Sequence, residues 1–65
     1  MNESQGWHLG YLVSKHNNYK DSQGYPIYLA LQDYFSEEDG PEISDKEHAE
    51  VLKVFCNYVL DEEEG

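Results

Sequence analysis

Apolar residues recur at Val51, Leu52, Phe55, Tyr58 and Val59. That is the i, i+1, i+4, i+7, i+8 spacing of an amphipathic helix. Just ahead of it, Ser44 and Glu47 have the S-x-x-E spacing of a capping box, in which each side chain satisfies the other's backbone donor. Asp45 and Glu47 place acids in the first turn, where the helix dipole favours them. The pattern predicts a helix over about 45–61. Asp61 and Glu62–Glu64 oppose the dipole at its far end, so the last turn is expected to fray.

The first half of the chain has a different rhythm. In GWHLGYLV, Trp7, Leu9, Tyr11 and Val13 alternate with His8, Gly10 and Ser14, and only Leu12 breaks the period of two. Asp21 and Gly24 stand at the first and last positions of a β-turn. Beyond them Tyr25, Ile27, Leu29 and Leu31 alternate with Pro26, Tyr28, Ala30 and Gln32. Gly10 is a poor helix residue, whereas Tyr, Ile and Val suit strands. The leading expectation is therefore an α+β fold, a ββα domain. It pairs a hairpin of about 7–20 and 25–35 with the C-terminal helix.

The alternative is an all-α three-helix bundle with a helix over 26–38. Pro26 would then stand at the first helical position and Gly40 just past the end, followed by Pro41. Ile27, Leu31, Tyr34 and Phe35 would share one face, with Gln32, Asp33, Ser36 and Glu37 opposite. Either way, 65 residues make one domain, 1–65, with 1–5 and 62–65 expected to fray.

Length limits what holds such a domain together. A core this small supplies roughly 3–5 kcal/mol, and Cys56 is the only cysteine, so no internal disulfide adds to it. A two-stranded hairpin would also leave open edges. Self-association is thus expected. The Val51, Leu52, Phe55 and Val59 stripe serves either as the core or as a dimer face. The lone thiol, the absence of a leader-like start and the lack of a long apolar run point to the cytoplasm, or a host cytoplasm for a viral protein.

Charge narrows the range of partners. Glu3 and Asp21 balance Lys15 and Lys20 in residues 1–32, so the net −10 falls entirely in residues 33–65. There is no arginine. A nucleic-acid binder needs a basic footprint, and anionic membranes repel the same charge. Direct nucleic-acid or membrane binding is therefore not expected.

Specific chemistry finds little support. Aligning Gly40 with the sixth position of an EF-hand loop puts Phe35 at the first and Lys46 at the twelfth, where ligands are required. His48 and Cys56 are about 12 Å apart along a helix, too far to grip one metal. His8 and His16 could meet only through tertiary structure, and three ordinary histidines with a small buried thiol are the simpler account. No nucleophile elbow or phosphate loop is present. Neither a cofactor, a metal nor an enzymatic reaction is expected.

What remains is a surface. Glu37, Glu38, Asp39 and Glu42 are not needed by any helix cap, and Glu50 extends their field. Trp7, Tyr11, Tyr28, Phe35 and Phe55 are the expected aromatic core, leaving Tyr19 and Tyr25 beside the turn as interface residues. The simpler account of the acids is a solubilising face, but such faces are usually mixed in sign. The expected function is a small acidic protein-binding module. It would inhibit or regulate a partner with a basic surface, such as that of a nucleic-acid-binding protein, in the manner of DNA mimics from phages and mobile elements that antagonise host or defence proteins. The alternative is a structural adaptor acting as a homodimer without charge mimicry. An antitoxin or immunity-type inhibitor belongs to the same broad class.

Overall fold

The computed structural model describes residues 1–22 and 24–64. Three helices form: α1 (Glu3–Lys20), α2 (Pro26–Ser36) and α3 (Asp45–Glu64). No strand occurs among the described residues. The expected ββα hairpin is thus replaced by the all-α arrangement.

The physical reason lies in α1. Its buried residues are Gln5, His8, Leu12 and His16, a helical face spaced by three, four and four. Three of those four are polar, so the face does not read as a hydrophobic stripe. Leu12, which broke the alternation of Trp7, Leu9, Tyr11 and Val13, is wholly buried. The helix starts on a capping box: the Asn2 side chain accepts from the Gln5 N–H at 2.8 Å, and Gln5 Oε1 accepts from the Asn2 N–H at 3.1 Å. Residues 3–5, expected to fray, form this capped first turn. Local capping and tertiary burial outweigh the helix penalty of Gly6 and Gly10, about 1 kcal/mol each.

Helix α2 begins with Pro26 in its first turn, where the missing N–H is not required. It ends at Ser36, and the Glu37 N–H bonds the Tyr34 carbonyl at 3.2 Å. The turn expected over Asp21–Gly24 includes Gln23, which lies outside the described residues. On its near side, the Ser22 N–H closes onto the Tyr19 carbonyl at 3.1 Å. Helix α3 starts on the expected box: Ser44 N–H to Glu47 Oε1 at 2.9 Å, and Glu47 N–H to Ser44 Oγ at 3.1 Å. It continues through Glu64, into the stretch expected to fray; Gly65 lies outside the described residues.

Asn2 and Gln5 bond Glu47 and Glu50, while Lys20 bonds Glu62, so α1 and α3 run parallel. Helix α1 is the central element, with α2 and α3 packed on it. Leu12, Ala30, Tyr34, Val51, Phe55 and Val59 form the buried cluster. Val51, Phe55 and Val59 are therefore core in the single chain, with Leu52 half-buried beside them. They do not form an exposed dimer face.

The expected aromatic core is also corrected. Of its five members only Phe55 is fully buried; Tyr11 is half-buried, and Trp7, Tyr28 and Phe35 are exposed. Cys56, expected to be buried, is exposed because it lies one step round α3 from Phe55.

Candidate functional site

The loop of residues 37–44 brings the end of α2 back towards the starts of α1 and α3. There it closes an open pocket of about 320 Å3. Trp7, Phe35, Glu37 and Glu42 line it together with His8, Tyr34 and His48. Each helix contributes: α1 supplies Trp7 and His8, α2 supplies Tyr34 and Phe35, and α3 supplies His48.

A hydrogen-bonded chain crosses this pocket. His8 Nε2 lies 2.6 Å from the Pro41 carbonyl oxygen. A carbonyl only accepts, so this nitrogen carries the proton. A neutral His8 then accepts at Nδ1, and the Tyr34 hydroxyl donates to it at 2.9 Å. The same hydroxyl lies 2.7 Å from His48 Nδ1. With its one proton already directed to His8, it accepts from His48 Nδ1–H. Both tautomers are assigned from this network. Burial raises the Tyr34 hydroxyl above its ordinary pKa, keeping it protonated and able to donate.

Aromatic packing frames the chain. Tyr34 meets His8 and His48 edge-on, with ring centroids 5.5 and 5.9 Å apart. Trp7 stacks on Tyr11 at 5.6 Å, and Lys15 Nζ stands 5.5 Å from the Tyr11 ring centroid. Gly40 has no side chain for a reason: a Cβ there would overlap the benzo edge of Trp7. Burial, followed by the charges of Glu37 and Asp33, also raises the Tyr11 hydroxyl pKa.

The predicted partner-binding residues divide into two groups. Glu37 is half-buried and accepts from the Asp39 N–H at 2.8 Å. Glu38, Asp39 and Glu42 are exposed, and their carboxylates make no hydrogen bond or ion pair among the described residues. Glu50 lies on α3 and accepts from Gln5 Nε2 at 3.3 Å, so it tethers helices rather than joining the loop. Tyr19 is half-buried and donates to Asp33 Oδ2 at 2.5 Å; this bond, then burial, raises its pKa. It joins α1 to α2 and is not the open contact that the sequence suggested. Tyr25 is exposed and meets Tyr28 edge-on at 6.0 Å.

Sequence reasoning missed the His8–Tyr34–His48 chain. Its members lie far apart in the sequence and converge only when the N-terminal segment is helical. Among the described residues, the pocket lining has no serine, cysteine or lysine. Among the described residues, no group of three or more His, Cys, Asp or Glu is placed to hold a metal ion. No described helix is long and apolar enough to cross a membrane. No family model matches the chain, and neither a curated protein nor a solved structure is significantly similar to it.

Proposed function

We propose that the chain is an acidic protein-binding module whose partner presents a basic surface. One observation carries this reading. Tyr25, Tyr28 and Phe35 are 64%, 63% and 69% exposed along α2, and the chain passes directly from them into Glu37, Glu38, Asp39 and Glu42. Exposed aromatics of this density belong to interfaces, because they bury much area at a small entropic cost. Charge beside them steers a partner and fixes its orientation. Of the loop carboxylates, Glu37 bonds the Asp39 N–H, and those of Glu38, Asp39 and Glu42 make no bond among the described residues. Glu47, Glu50 and Glu62, by contrast, already hold helices together.

The regulatory and DNA-mimic forms of this reading rest on the net −10 placed in residues 33–65. Displacement of DNA from a basic DNA-binding protein by the purified chain would test that form directly. The surface itself is tested by the triple reversal of Glu37, Glu38 and Asp39 to lysine. Partner binding should fall by at least about 10-fold and lose most of its salt dependence, with the helical fold retained. Unchanged binding would make these acids a solvated loop. The adaptor reading needs a self-associating face, and the Val51–Phe55–Val59 stripe is enclosed in the core. Sedimentation at micromolar concentration distinguishes the two: a monomer leaves the α2 face available to a different protein.

A further inference from the structure

We propose that the pocket between Trp7 and Phe35 receives an arginine side chain of the basic partner, which anchors the interface there. This rests on the reading of a basic partner and names the part of that partner that is recognised. The pocket of about 320 Å3 stands at the small end of ligand-site volumes, roughly 300–1,000 Å3, which suits one long side chain better than a cofactor. Its walls are exposed aromatic surface from Trp7 and Phe35, and its rim carries Glu37 and Glu42.

An aromatic face beside carboxylates is the chemistry that recognises a planar cation. The ring quadrupole attracts the charge. A guanidinium can stack flat while its N–H fork meets a carboxylate, which an ammonium cannot reproduce. The chain already uses this chemistry once. Lys15 stands over Tyr11, and Tyr11 stacks on Trp7, so a cation is held on the far side of the same aromatic stack. No lysine of the chain lines the pocket, and Glu42 has no ionic or hydrogen-bonded partner among the described residues. An arriving cation therefore meets two carboxylates and displaces no internal ion pair. An anion would meet the same two carboxylates as repulsion.

Trp7 is the only tryptophan, so it reports on the pocket directly. The experiment titrates hexa-arginine and hexa-lysine peptides into the intact chain at low salt. Total binding is read from the anisotropy of labelled peptide, and pocket occupancy from Trp7 emission. Hexa-arginine should change the emission saturably and bind several-fold tighter than hexa-lysine. The Glu37→Gln/Glu42→Gln variant should weaken hexa-arginine by about 10-fold, the scale of two lost charge contacts. A charge-matched control is Asp21→Asn/Asp61→Asn; Asp61 lies about 20 Å along α3 from His48. It should change the affinity by less than about 2-fold. Both variants should keep the parent's circular dichroism. Equal losses in the two variants, with Trp7 emission unmoved, would overturn the pocket while leaving a diffuse acidic surface standing. Failure of both peptides to bind at low salt would overturn the pocket and the basic-partner reading together.

Discussion

Tyr34 is the residue on which the pocket turns. Its ring belongs to the core and its hydroxyl joins imidazoles from two other helices. The substitution Tyr34→Phe keeps the ring volume but leaves His8 Nδ1 and His48 Nδ1 without their shared partner. Unsatisfied buried polar atoms cost about 1–3 kcal/mol each, so urea unfolding should show a loss of at least about 1 kcal/mol. A variant as stable as the parent would mean that water satisfies both rings. Glu47 acts at the same scale but with the opposite titration. Its bonds from Ser44 and Asn2 hold its pKa below the ordinary glutamate range. A folded-state pKa depressed in this way contributes stability above the unfolded value, which is lost as pH falls through the folded one. Glu47→Gln should therefore lower stability at neutral pH and flatten the acid limb of a Tm–pH curve.

Among the elements, α3 was legible because its signals are local. Ser44 and Glu47 find one another within three residues, whatever the rest of the chain does. Helix α2 was legible only as an alternative, since Tyr25, Ile27, Leu29 and Leu31 alternate as well as they wind. Helix α1 was misread because Gln5, His8 and His16 occupy the face where apolar residues were sought. Its glycines remain a weakness of the element. A Cβ at Gly10 meets nothing within 4 Å. Gly10→Ala should therefore stabilise the chain by about 0.5–1 kcal/mol and raise Tm by several degrees. A decrease would show that Gly10 serves a contact other than the fold.

For the whole molecule, the extents are 30 × 23 × 15 Å, a flattened shape. With α1 central, α2 keeps an outer face that no other helix covers, which is why Tyr28 is exposed. The pKa values of the Tyr11, Tyr19 and Tyr34 hydroxyls and of the Lys20 ammonium are all raised above their ordinary range. A raised folded pKa contributes stability below the unfolded value and loses it as pH rises through the folded one. The tyrosines thus act together at pH above the ordinary tyrosine value of about 10. Thermal unfolding followed upward from neutral pH should show a steep fall in Tm there, and Tyr19→Phe should make it shallower. An unchanged alkaline limb in that variant would remove the Tyr19–Asp33 bond from the account.

By itself, the sequence determined the start of α3 and the position of the charge, while Pro26 at the head of α2 belonged only to the alternative reading. Each depends on residues within a turn of one another or on a simple sum. Tertiary structure alone decided that residues 7–20 wind into a helix, because Gln5 and His8 can sit on its core face only where Glu47, Glu50, Pro41 and Tyr34 meet their polar atoms. It also decided which aromatics are covered. Phe55 packs inside α3's contact with the other helices, while Phe35 lines the open pocket and stays exposed. The acidic stretch was visible as composition. That two of its carboxylates, Glu37 and Glu42, border an aromatic pocket follows only from the loop that returns the end of α2 to the starts of α1 and α3.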